Sequence, residues 1–146
     1  MINSFFYVNY YLTVRWETHP TKLKGKKMIY QNKLIKIEIE KSEIPWLKVF
    51  TQKAHKEFSD CSLEEKMEIW RVLDIIEKEM ISFFKPRKIN IASFGNYMPH
   101  VHWHVMARFE EDSYFPEPMW GSIQREGSYK LERFDEFLEL LKEKLK

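Results

Sequence analysis

From His100 to Met106 the chain reads His-Val-His-Trp-His-Val-Met. Side chains alternate across a β-strand. In that geometry His100, His102 and His104 share one face, and Val101, Trp103 and Val105 share the other. Such a strand has one face suited to a core and one suited to polar chemistry. It therefore belongs in a sheet whose apolar side is covered by another element. The chain supplies a cover. Ser62-Leu63-Glu64-Glu65 reads as a capping box, with serine at the N-cap and glutamate three residues on. Behind it Leu63, Met67, Trp70, Leu73, Ile76, Met80 and Phe83 recur at steps of three and four. That spacing predicts an amphipathic helix of about six turns. On this stripe Met67 and Met80 are core filler, and Pro86 stops the helix.

The remaining elements follow from alternation and turn chemistry. Leu34–Glu40 alternates Ile35, Ile37 and Ile39 against Lys36, Glu38 and Glu40 and predicts a half-buried strand. A turn over Ser42–Pro45 leads to a second strand at Trp46–Thr51, and the pair reads as an antiparallel hairpin. Lys88–Ser93 is a third strand, Phe94–Tyr97 a turn, and His100–Arg108 a fourth strand. Pro116, Pro118 and Gly121 break up an aromatic-rich loop, and Leu131, Phe134, Phe137, Leu138, Leu141 and Leu145 stripe a C-terminal helix over 130–146. The fold class is α+β: an antiparallel sheet of about five strands, one long helix across it and a C-terminal helix.

At 146 residues the chain is one domain. Residues 1–27 read as an N-terminal extension to a domain over 28–146. Thr18–Lys27 is polar and basic with a Pro and a Gly, and Lys24-Gly25 can be encoded by a ribosome-binding sequence just ahead of Met28. Two readings stand: translation beginning at Met28, or an N-terminal arm packing on the domain. The segment has no basic n-region and no small-residue cleavage site, so it is a poor secretory signal, and a cytoplasmic location is expected. The single cysteine, Cys61, excludes a disulfide scaffold and a Cys-based zinc site. A net charge of +2 argues against binding nucleic acid by bulk charge, and no apolar stretch approaches a membrane span.

Same-face neighbours on a strand lie about 7 Å apart, so three imidazoles reach one small volume. Three readings compete: a polar face with coincidental histidines, a metal site with His55 as a further ligand, and nucleophilic and acid–base chemistry on a phosphate.

His100-Val101-His102-Trp103-His104-Val105-Met106 resembles the signature of the histidine-triad (HIT) family, three histidines alternating with apolar residues. The approach Asn90–Pro99, the segment Ala107–Gly121 and Ser59–Ser62 ahead of the long helix are similar to a short bacterial branch of that family, so the resemblance spans about residues 28–121. It implies an enzyme that cleaves a nucleoside 5′-phosphate derivative, such as a phosphoramidate, adenylate or dinucleoside polyphosphate, at the α-phosphorus. His102 would be the nucleophile and form a nucleotidyl-histidine intermediate. The carbonyl of His100 would take the inner proton of His102. His104 would donate to a non-bridging phosphate oxygen, and the His100 side chain would order the network. Asn96 and Asn90 are candidate amides for the phosphate or leaving group, Gly95 admits a close backbone approach, and Glu40 is a candidate for the ribose hydroxyls. The family segment often ends in Ser or Thr where this chain has Tyr97 and Met98, which weakens assignment to the phosphoramidase branch. Gln52-Lys53-Ala54-His55 keeps only the Lys and His of a family Pro-Lys-x-His. Met119 and Trp120 pack at a dimer edge or within their own subunit. The resemblance further implies a purine, AMP-type substrate, no required cofactor or metal, no nucleic-acid or membrane partner, and a homodimer with a continuous sheet. The rivals are a nucleotide-binding regulatory module with vestigial activity and a histidine-ligated metal hydrolase.

Overall fold

The computed structural model describes residues 28–146; the readings of residues 1–27 fall outside them. Five strands form one sheet in the order β1-β2-β3-β5-β4, every neighbouring pair antiparallel: β1 Met28–Gln31, β2 Ile35–Ile39, β3 Trp46–Thr51, β4 Lys88–Ala92 and β5 His102–Arg108. Helix α1, Leu63–Phe84, lies between β3 and β4 in sequence, and α2, Phe134–Leu145, closes the chain. The fold is the expected α+β arrangement.

The first strand is the element that alternation did not name. Its turn into β2 is built by Asn32, whose Oδ1 accepts from the Leu34 and Ile35 amides at 2.8 and 3.0 Å. A side chain bonding its own backbone two and three residues on is ordinary Asx-turn chemistry. The same side chain donates from Nδ2 to Glu68 of α1 at 2.7 Å, tying this hairpin to the helix.

Helix α1 starts where the capping box places it. Ser62 accepts from the Glu65 amide and Glu65 accepts from the Ser62 amide. Its buried face differs from the expected stripe. Ile69, Val72, Leu73, Ile76 and Met80 are buried, whereas Leu63, Met67 and Trp70 are 73%, 63% and 55% exposed. Met80 fills the core and Met67 does not. The first two turns carry two overlapping apolar stripes, and the sheet covers only one. The C-terminal helix begins at Phe134, four residues later than expected, because Arg133 sits in the left-handed region at φ 55° and interrupts the approach. Phe137 then seats against Phe84 and Phe83, with ring centroids 4.7 and 5.5 Å apart.

The core lies on the α1 side of the sheet, where Ile35, Ile37, Leu47, Val49 and Val105 are fully buried. The opposite side carries the alternate residues of the same strands.

Candidate active site

Three cross-strand rows cover the open face. Lys36 pairs with Phe50, and Phe50 with His102. Glu38 pairs with Lys48, Lys48 with His104, and His104 with Ala92. Trp46 pairs with Met106, which faces Asn90. The histidines are thus embedded in a surface that β3 helps to build.

His102 is held by its neighbours on both counts, ring plane and proton. It stacks on Phe50, with centroids 4.8 Å apart and an interplanar angle of 18°. Its Nδ1 lies 2.6 Å from the His100 carbonyl oxygen. A carbonyl can only accept, so Nδ1 carries a proton, and in the neutral ring Nε2 keeps its lone pair. His100 itself precedes the ladder, which begins at His102. Two backbone bonds take it off the strand: the His100 amide donates to the Met98 carbonyl at 2.7 Å, and the Val101 amide to the His55 carbonyl at 2.8 Å. The His100 ring donates from Nε2 to the Thr51 carbonyl at 2.8 Å, with the Thr51 hydroxyl at 3.1 Å. That nitrogen is therefore committed to the protein.

His104 sits 4.8 Å from His102, centroid to centroid, in an aromatic enclosure. It stacks on Phe94 and meets Trp46 and Trp120 edge-on. Its Nδ1 lies 3.0 Å from Trp46 Nε1. Burial, then the neighbouring His102 and Lys48, push its pKa down to about 4, with Glu40 opposing.

His102 and His104 open on a cavity of about 540 Å³, whose other walls are Phe94–Met98 and Trp120. Gly95 and Asn96 are thus at the cavity. A Cβ on Gly95 would stand 2.7 Å from the Met98 carbonyl oxygen, so only glycine lets the loop fold back on itself there. Tyr97 and Met98, at the positions where the resemblance leads one to expect a hydroxyl side chain, are exposed on the cavity wall.

The HIT domain family model matches residues 22–111, well over half of the chain. The chain belongs to the HIT family. Among solved structures, a histidine triad protein from Bradyrhizobium japonicum is 24% identical, with a TM-score of 0.69, covering 90% of this chain and 98% of that one. A histidine triad (HIT) protein from Sinorhizobium meliloti is 26% identical, with a TM-score of 0.65 over 81% and 88% of the two chains. The diadenosine triphosphate hydrolase of Plasmodium falciparum is 18% identical, with a TM-score of 0.53 over 82% and 71%, a likeness of fold. The family therefore includes hydrolases. A comparison with curated protein sequences finds no match.

Two of the expected nucleotide contacts lie elsewhere on this HIT domain. Asn90 accepts from Arg108 Nη1 at 3.1 Å and does not line the cavity. Arg108 is fully buried, forks onto Asp112 with two bonds of 2.9 Å and donates to the Glu117 carbonyl at 2.8 Å. The Asp112 carboxylate accepts from the Phe109, Tyr114 and Phe115 amides as well. Burial alone would raise its pKa, but Arg108 and the Phe109 and Tyr114 amides hold it below the usual carboxylate range. Asn90 is thus part of a clamp on the loop that brings Trp120 to His104. Glu40 pairs with Lys48 at the edge of the open face, away from the cavity lining. The chemistry of these two residues was legible as amide and carboxylate. Their partners, Arg108 and Lys48, come from the strands β5 and β3.

His55 lies behind the site. Its Nε2 bonds Glu65 at 3.0 Å while its carbonyl receives the Val101 amide. Burial tends to raise the Glu65 pKa, and bonds from Ser62 and His55 outweigh it, leaving the carboxylate below its ordinary value. His55, Cys61 and Glu65 offer ligand atoms within 4.8 Å of one another, the one such group among the described residues. Here His55 and Glu65 already satisfy each other. Burial, then Glu65, push the Cys61 thiol up, so it favours the protonated form over a metal-binding thiolate.

Sequence reasoning missed Trp46, Phe50 and Phe94 as parts of the site. For Trp46 and Phe50 the parity of β3 was the available signal, because Trp46, Lys48 and Phe50 alternate with the core residues Leu47 and Val49.

Proposed function

We propose that the protein cleaves a nucleoside 5′-phosphate derivative at the α-phosphorus through a nucleotidyl-histidine intermediate on His102. The observation carrying this reading is the 2.6 Å contact of His102 Nδ1 with the His100 carbonyl, which in the neutral ring puts the Nε2 lone pair on a histidine that lines the cavity. The Nε2 lone pair forms a bond to phosphorus as the bond to the leaving group breaks. The leaving group departs with its electron pair and takes a proton from solvent. Water then attacks the phosphorus, the P–N bond breaks, and the electron pair returns to Nε2. His104 donates to a non-bridging oxygen as its charge builds. Asn96 contacts the phosphate or the leaving group, and Gly95 keeps the backbone close. Aromatic walls favour a planar purine base. The HIT fold of the Plasmodium dinucleotide hydrolase supports the substrate class.

This chemistry calls for no metal. What disfavours a three-histidine metal centre is that, among the described residues, the one group of three ligand atoms within 4.8 Å of one another is His55, Cys61 and Glu65 rather than the triad. Exposure of Leu63, Met67 and Trp70 on α1 and the position of β4 at the sheet edge support a homodimer whose sheet runs through both subunits.

The decisive experiment is rapid mixing with an adenosine phosphoramidate, an acyl-adenylate or a dinucleoside polyphosphate, acid-free quenching and mass spectrometry of the intact protein. A nucleotide-sized adduct on His102 is expected, unaffected by chelators. Tight AMP binding without an adduct or turnover would establish the binding module instead, and activity restored by zinc after chelation would establish the metal hydrolase.

A further inference from the structure

Trp46 is the first residue of β3 and lies 58 residues from His104 in sequence, yet its indole nitrogen lies 3.0 Å from His104 Nδ1 in a buried contact. An indole N–H can only donate. The imidazole nitrogen opposite it must then be the acceptor, and the proton of neutral His104 must sit on Nε2. This is the reverse of His102, where the acceptor is the His100 carbonyl and the proton sits on Nδ1. Among the described residues the one buried side-chain nitrogen or oxygen without a partner is Trp103 Nε1. Among the described residues His104 Nε2 has no partner, yet it is not in that class, so it is open to the cavity the ring lines.

We propose that Trp46 is a positioning residue that fixes His104 as the Nε2–H tautomer and thereby makes it a hydrogen-bond donor into the cavity beside the His102 nucleophile. The inference rests on the proposed phosphate chemistry for its purpose, but its physical content is a proton position. The enclosure by Trp46, Phe94 and Trp120 restrains the ring, and the Trp46 N–H selects which nitrogen faces substrate. Without that N–H the two tautomers of an imidazole are close in energy. A fraction of the protein would then present two lone pairs, His102 Nε2 and His104 Nε2, to an already anionic phosphate oxygen. Only the Nε2–H form of His104 attracts it.

The test is nitrogen-15 NMR of the full chain with labelled histidines, at neutral pH, without substrate. In the wild type His104 is expected to show a bare Nδ1 and a protonated Nε2, and His102 the opposite. In Trp46→Phe an Nδ1-protonated His104 population should appear. The rate of adduct formation with adenosine phosphoramidate should fall about tenfold in kcat with KM changed less. Replacing Trp46 by β-(3-benzothienyl)alanine, which keeps the bicyclic shape and loses only the N–H, should reproduce both effects, and it covers the case in which the smaller phenyl ring disturbs the fold. A wild-type His104 protonated on Nδ1, or a tautomer unchanged in the benzothienyl protein, overturns the proposal. The NMR result is read without turnover. A wild type with the stated tautomers but no adduct therefore sinks the phosphoryl chemistry and leaves the role of Trp46 standing.

Discussion

The two cavity histidines have similar burial, lie on one strand two residues apart, and differ in what stands behind each ring. Behind His102 are an acceptor and a flat apolar face, the His100 carbonyl and Phe50. Behind His104 are a donor and an aromatic box, Trp46 with Phe94 and Trp120. One residue type is thereby given two opposite tautomers, one exposing a lone pair and the other a proton. The contrast teaches that a histidine's role is set less by its own position than by the polarity of the group at its back.

The strongest way to break this contrast is to remove the ring that exposes the lone pair. His102→Gly should form no nucleotidyl adduct and lose more than about 10³-fold in turnover, since no other group takes over the displacement. A His102 variant that still turns over through an adduct would reverse the roles of the two rings.

Next in size is an effect of acid on stability. With a native pKa of about 4, against 6.5 when unfolded, His104 binds fewer protons folded than unfolded between those values. Its burial therefore costs nothing above pH 6.5, and stability falls as pH drops from 6.5 towards 4. The full loss is on the order of 3 kcal/mol. His102 and Lys48 push in this direction and Glu40 against it. Denaturant midpoints measured across that range should slope in the wild type and flatten by this amount in His104→Gln. Equal slopes would show that His104 titrates normally.

The same His104→Gln variant tests the other half of the contrast through catalysis. Adduct formation on His102 should persist but slow by about 10²-fold, the usual cost of removing one donor to developing charge. The smallest effect on chemistry is expected far from both rings. Met67→Lys on the exposed stripe of α1 should leave single-turnover rates within twofold, by analogy with surface substitutions generally, while shifting the protein towards monomer in sedimentation velocity. A monomeric wild type would refute the dimer outright.

Much of this architecture was legible because it rests on local rules. The capping box at Ser62–Glu65 marked the start of α1, and the alternation of Leu34–Glu40 with the β-forming residues of Trp46–Thr51 marked the hairpin. The triad residues placed the chain in the HIT family, which the match over residues 22–111 bears out. Illegible parts depended on partners distant in sequence. Stripe periodicity alone could not say which of two apolar faces on α1 the sheet would cover. Asn90 was a candidate phosphate amide through the resemblance of its segment, whereas Arg108, itself held by Asp112 and the Glu117 carbonyl, draws it into a clamp.

What the amino-acid order determined by itself is the menu: a two-faced strand with imidazoles on one side, a capped helix to cover the other, and turns at Ser42–Pro45 and Phe94–Tyr97. These are set by dihedral preferences and side-chain periods acting within a few residues. Only the tertiary structure decided where each proton sits. Trp46 reaches His104 through antiparallel β3–β5 pairing, and the Phe94 and Trp120 walls arrive on loops. A hydrogen bond between residues so far apart in sequence exists only once the sheet has fixed its register, and it is that bond, not the identity of the residue, that makes one imidazole a donor and its neighbour a base.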